Sequence, residues 1–177
     1  MKKSVSLKLI VFSLLLVAAG VSYSEPKIEA GTGPNSTKAG LGNTASNLKS
    51  SAFGNTNSVS GEGSSAFGSK YKVTGEASGA FGVGEYDNVT NTYKFINEGN
   101  NSYMIGNKNK IASGSNNNFI LGNNVSIGSG IQNSVALGNG STVSSSNEVS
   151  VGSATQKRKI TNVADGSFSY FYWCSYW

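Results

Sequence analysis

Few residues in this sequence have the type and spacing for covalent or acid–base chemistry. Glu85 and Asp87 are the one close pair of carboxylates ahead of the C-terminal tail. Paired carboxylates can divide general acid and base roles, but acids in a loop more often serve turn geometry. The chain has no histidine and a single cysteine, Cys174, which leaves neither a disulfide nor a Cys/His metal site. No phosphate-cradling Gly-x-x-x-x-Gly-Lys-Ser/Thr loop, no Gly-Gly-x-Gly-x-Asp calcium repeat and no Ser/His/Asp constellation occurs. The expectation is a protein that is not an enzyme, with no catalytic, cofactor-binding or metal-ligating residue, no cofactor and no small-molecule substrate.

Charge points the same way. The formal net charge is +5, from 14 basic and nine acidic residues, but three of the basic ones, Lys2, Lys3 and Lys8, lie in residues 1–24. Those residues read as a signal peptide: a basic start, an apolar run over 9–19, and small Ser22 and Ser24 before a cut ahead of Glu25. A membrane anchor would need a longer apolar span. With the signal removed, 11 basic residues face nine acidic ones. That is no nucleic-acid footprint.

What organises the chain is a repeat. An apolar residue followed by glycine recurs as Leu41-Gly42, Phe53-Gly54, Phe67-Gly68, Phe81-Gly82, Ile105-Gly106, Leu121-Gly122, Leu137-Gly138 and Val151-Gly152. The steps from Gly54 onward are 14, 14, 24, 16, 16 and 14 residues. Periods this short exclude helical repeats and propeller blades and suit one coil of a β-solenoid, two short strands joined by tight turns. Five residues after most of these glycines a second apolar position recurs, at Val59, Val73, Ile111, Ile127 and Val143. Because side chains alternate faces along a strand, the expectation places the residue before each glycine inward as the repeat core. The smaller residue before it (Ala52, Ala66, Ala80, Met104, Ile120, Ala136) then faces out. The glycine permits a sharp bend or a close backbone approach.

Two or three core side chains per coil make a slender roll, hard pressed to offset the ordering entropy of its backbone. An apolar outer stripe packed against copies of the same chain resolves the difficulty, so an obligate oligomer is expected. Around the roll, residues 25–38 read as a flexible leader with both prolines, 39–148 as the repeats, and 85–101 as an insertion in the 24-residue interval. Two readings of the insertion's aromatics stay open: Tyr86, Tyr93 and Phe95 form a ligand-contacting loop, or they cover the flank of the roll. Lys157-Arg158-Lys159 ends the period and marks a change of structure.

These residues resemble a known family. The recurring apolar-Ala-apolar-Gly-Asn/Ser unit is similar to the head repeats of YadA-like trimeric autotransporter adhesins. The stretch Val149-Ser150-Val151-Gly152, followed by 158–166 (Arg-Lys-Ile-Thr-Asn-Val-Ala-Asp-Gly), is similar to that family's neck. The resemblance covers about residues 39–166 and implies an all-β, left-handed parallel β-roll of 14–16-residue coils, assembled as a homotrimer. It also implies a neck over 149–166 in which Lys157, Arg158, Ile160, Asn162 and Val163 take part and basic residues contact neighbouring chains. Host extracellular matrix, host cell-surface molecules or other copies are the implied partners, at the cell surface of a Gram-negative outer membrane.

After Gly166 the sequence departs from that pattern. In place of a stalk and anchor, residues 167–177 form a tail with seven aromatics among 11 residues, which reads as the aberrant end of a truncated gene and puts surface retention in doubt. Two other functions stand as alternatives. A β-solenoid enzyme would need the six-residue period and histidine of acyltransferases, or the clustered carboxylates of pectin-cleaving helices, and the sequence has neither. A non-binding spacer rod would be only about 34 Å long, from seven intervals at the usual strand spacing.

Overall fold

The computed structural model describes residues 27–164. The expected signal peptide, the last two neck residues and the aromatic tail lie outside them. The described residues form 17 β-strands and no helix. Nine strands stack into one long face and six into a short face. The parallel coil strands of the long face begin with Thr37–Ala39, Ser51–Asn55, Ser65–Ser69 and Gly79–Val83, and continue with Tyr103–Ile105, Phe119–Leu121, Val135–Leu137 and Val149–Ser150. The short face stacks Thr44–Ala45, Ser58–Val59, Lys72–Val73, Ile96–Asn97, Lys110–Ile111 and Ser126–Ile127, also in parallel. A long-face strand in every coil, joined by a short-face strand in the first six, is the all-β solenoid that the periodicity predicted.

Register repeats without slippage. Ala52 pairs with Ala66, Ala66 with Ala80, Ala80 with Met104, and so on through Ile120 and Ala136. These residues point inward: Ala52, Ala66, Ala80, Met104, Ile120 and Ala136 are all fully buried, opposite Val59, Val73, Ile111 and Ile127 of the short face. The expectation for the long face is therefore reversed. The residue before each glycine lies on the outside, with Leu41 76% exposed, Phe67 39% and Leu121 48%, and Phe53, Phe81, Ile105, Leu137 and Val151 lie on that same side, half-buried or exposed. Alternation was read correctly, but its phase was set by residue size. Within a chain the two faces approach so closely that an alanine fills the gap in most coils, and the bulky residue is excluded.

The glycine after each bulky residue has a definite cause. Gly68 has φ of 119°, in the left-handed region, and a β-carbon there would lie 1.9 Å from the carbonyl oxygen of Gly82 in the next coil. Gly54, Gly82 and Gly106 meet the following coil in the same way. Coils stack at this corner only because no side chain is present.

The first edge of the solenoid is closed by its own chain. Ile28–Ala30 pairs antiparallel with Thr37–Ala39, and Lys38 and Glu29 face each other at 3.4 Å across that pair. The stretch expected as a flexible leader is, from residue 27, an ordered cap that covers an otherwise unpaired strand edge, and the first coil begins at Thr37, ahead of the expected 39. The insertion is also shorter than expected. Ile96 and Asn97 sit in register with Lys72 and Val73, so 96–101 belong to a regular coil, and only 84–95 leave the roll.

Candidate functional site

Three features of the solenoid could do something beyond holding it together. The first is the outer surface of the long face. Strand alternation places two columns there, one on each side of the buried column. One runs Phe53, Phe67, Phe81, Ile105, Leu121, Leu137; the other runs Ser51, Ser65, Gly79, Tyr103, Phe119, Val135. The rings of Phe53, Phe67 and Phe81 stack in parallel, with centroids 4.8 and 5.1 Å apart and 4° between planes, the separation of neighbouring strands. The two columns are matched in size: a β-carbon on Gly79 would lie 2.8 Å from the Tyr103 ring, so the phenylalanine column widens where its neighbour is small. The result is one apolar sheet face with none of the other described residues over it.

The second feature is the hairpin that leaves the roll at Gly84. Tyr86–Asp87 pairs antiparallel with Thr92–Tyr93, and the rings of Tyr86 and Tyr93 pack at 4.7 Å with a 59° tilt. The Asp87 carboxylate accepts hydrogen bonds from the Val89 and Thr90 amides at 2.8 and 3.3 Å, which draws its titration below the ordinary range. It is a turn acid. At the base of the hairpin the Glu85 carboxylate accepts from the Lys94 ammonium and faces Lys108 at 3.9 Å. The bond and charge of Lys94 hold Glu85 low and, reciprocally, raise Lys94. Glu85 and Asp87 thus have separate partners and form no acid–base pair. Of the three candidate loop aromatics, Phe95 packs against the core and belongs to the flank; Tyr86 and Tyr93 stay together on the hairpin.

Where the hairpin departs, Tyr71 bridges the gap. In ordinary coils a buried asparagine at this corner links neighbours: Asn57 donates to Gly68 O at 2.8 Å, and its Oδ1 accepts from Tyr71 N at 3.1 Å. The next coil has no such asparagine because its chain has left. The Tyr71 hydroxyl reaches across, donating to Gly106 O at 2.8 Å and accepting from Asn109 N at 3.1 Å. Asn109 then resumes the ladder to Gly122 and Val125. Burial pushes the Tyr71 phenol above its ordinary value, so it remains a donor. A second buried ladder runs through Ser64, Ser78, Ser102, Asn118 and Ser134, each accepting from the backbone amide one coil on, at 2.9 to 3.2 Å. Among the described residues no buried side-chain polar atom lacks a partner. Sequence reasoning passed over both ladders, although Ser or Asn two residues before each inward Ala, Met or Ile was a visible signal.

The third feature is the neck. Within its own chain Arg158 closes the last coil: it donates to Ser141 Oγ at 3.0 Å, Val151 O at 2.7 Å and Asn139 O at 2.6 Å. Those carbonyls have no further coil to bond, and a guanidinium supplies several donors in one plane. Lys157, Ile160, Asn162 and Val163 are exposed. An open cleft lined by Glu148, Val149, Lys157 and Arg158 lies beside this segment. Glu148 is itself occupied, because amide and hydroxyl donors of Ser144 and Ser145 hold its carboxylate and lower its titration.

No family model matches the chain, and no curated protein matches it. Among solved structures it is similar to the collagen-binding domain of the Yersinia adhesin YadA, with 19% identity and a TM-score of 0.45 over 86% of this chain and 84% of that one. The solenoid stands on its own strand register and does not depend on that match.

Proposed function

We propose that this chain is the head and neck of a bacterial surface adhesin that works as a homotrimer and attaches cells to host matrix, to host surfaces or to one another. The observation that carries the reading is the unpartnered apolar face of Phe53, Phe67, Phe81, Ile105, Leu121 and Leu137, four of them more than a third exposed. Contiguous apolar surface of this kind marks an interface in soluble proteins. The interior offers few large side chains, so stability requires a second apolar layer. Three rolls joined along their long faces bury the stripe and leave the short faces and hairpins outside. Each outward row is then presented three times, and weak contacts gain through effective concentration. The repeat and the neck motif, whose resemblance to trimeric adhesins names the family, support the same assembly and a place at the cell surface.

The test combines sedimentation with attachment. The wild-type mature chain is expected to sediment as a trimer and to hold to immobilised collagen, fibronectin, laminin or epithelial cells. Phe67→Ser with Leu121→Ser is expected to abolish both. A trimer that holds to none of these surfaces is a spacer rod, and a stable folded monomer would falsify the proposal.

A further inference from the structure

We propose that five lysines set around the root of the hairpin, Lys70, Lys72, Lys94, Lys108 and Lys110, form a docking surface for a linear sulfated polysaccharide. The inference rests on the adhesin reading for its setting and on the fold for its geometry. Tyr71 and Asn109 are buried, whereas Lys70, Lys72 and Lys110 are half-buried and Lys108 is exposed. Ile96 is in register with Lys72, and Asn97 with Ile111, so Lys72 and Lys110 lie two strands apart on the short face, about 10 Å by ordinary strand spacing. At the adjoining turn Gly84 N bonds Ser69 O and Lys108 N bonds Val83 O, which stacks Lys70, Gly84 and Lys108 with the same two-coil separation. Four ammonium groups therefore frame a patch from which the chain departs at Gly84, a residue without a side chain, and to which it returns at Ile96. Lys94 stands on the hairpin that rises from the middle.

The acids nearby neutralise the frame only in part. Glu85 is engaged by Lys94 and Lys108, and the Asp87 carboxylate is turned to the Val89 and Thr90 amides. Glu98, just past the strand Ile96–Asn97, is half-buried at the border of the patch. Among the described residues, Lys70, Lys72 and Lys110 make no ion pair. The face is a parallel sheet of the described residues, so it suits a ligand that lies along the surface and carries anionic groups at intervals. Each contact is weak and screened by salt, which favours a polymer, and the repetition of the patch in an oligomer multiplies it. Host matrix and cell surfaces present such polymers as sulfated glycosaminoglycans. Glu85, held by Lys94 and Lys108 on one side of the frame, acts as an internal substitute for a ligand sulfate and competes with it.

Heparin immobilised on a sensor surface is the probe, with N- and O-desulfated heparin and double-stranded DNA in parallel. The wild-type mature oligomer is expected to bind heparin at moderate salt and to lose it with desulfation. Lys72→Gln with Lys110→Gln is expected to weaken binding about tenfold, the sum of two exposed ion pairs. Glu85→Gln is expected to strengthen it, whereas Lys38→Gln with Lys49→Gln, at the far end of the roll, leaves it unchanged. Equal retention on desulfated heparin or on DNA overturns the proposal, as does weakening that is the same for either lysine pair. Attachment of the same preparations to collagen, fibronectin and laminin reads the adhesin assignment separately. Lost heparin binding with intact matrix attachment removes only this surface; the converse removes only the adhesin reading.

Discussion

The coils carrying Phe53, Phe67 and Phe81 and those carrying Ile105, Leu121 and Leu137 solve one packing problem with opposite distributions of bulk. The first group has alanine inside, phenylalanine outside, and Ser or Gly in the other outer column. The second has Met104, Ile120 and Ala136 inside, smaller aliphatics outside, and Tyr103, Phe119 and Val135 in the other column. The difference follows coil length only in part: Met104 follows Asn97, the counterpart of Val73, by seven residues, just as Ala66 follows Val59. From Val59 to inward Ala66 is seven residues, and from Ile111 to inward Ile120 it is nine. The two added residues widen the turn between the faces, and a larger side chain fills the added space. Where the inward residue stays small in a long coil, at Ala136, Ile131 packs in from the widened turn. Turn length therefore accounts for the interior at Ile120 and Ala136 but not at Met104, while the stack keeps one register throughout.

Three substitutions break or sharpen this contrast. Ile120→Ala hollows a wide coil. It should cost about 2–5 kcal/mol, the range for emptying a packed site of this size, read by urea unfolding at fixed protein concentration because association contributes to stability. Ala66→Ile overfills a narrow coil, held between Ala52 and Ala80 in register, and should destabilise by about 1–3 kcal/mol. Tolerance of that change, with a cost near zero, would show that the short coils are not narrower and would end the comparison. Tyr71→Phe touches the seam between the two groups. It strips a donor from Gly106 O and an acceptor from Asn109 N. Unpaired buried polar groups cost roughly 1–3 kcal/mol, and the lower end is expected here because the ring still plugs the gap. Amide exchange should speed at Asn109 and Val125, and much less at Ala52 or Ala66. That asymmetry distinguishes a local splice from general loosening.

The buried position five residues after most anchor glycines was legible without coordinates, and so were the solenoid and the reality of the 82–106 excursion. The glycines were legible too, since only a missing β-carbon explains so regular a recurrence. The direction of Phe67 and its neighbours was not. Alternation states that Ala66 and Phe67 face opposite ways but not which is inside, and the usual preference for burying the larger residue pointed to the wrong one. The Tyr71 bridge was equally hidden, because its hydroxyl meets residues 35 and 38 positions away. The leader was misread because Pro, Gly and Thr suggest mobility locally, whereas the bonding partner of Ile28–Ala30 is the first coil's own edge.

Period and chemistry were determined by the order of residues alone: the spacing of apolar residues and glycines admits a wound stack of short strands, and the lack of histidine with scattered acids leaves little for catalysis. The tertiary structure decided the sides. Only the distance between the two faces, imposed by the stacked turns, settles that alanine fits within and phenylalanine does not. Strand periodicity is symmetric about the sheet, and the volume available on each side breaks that symmetry.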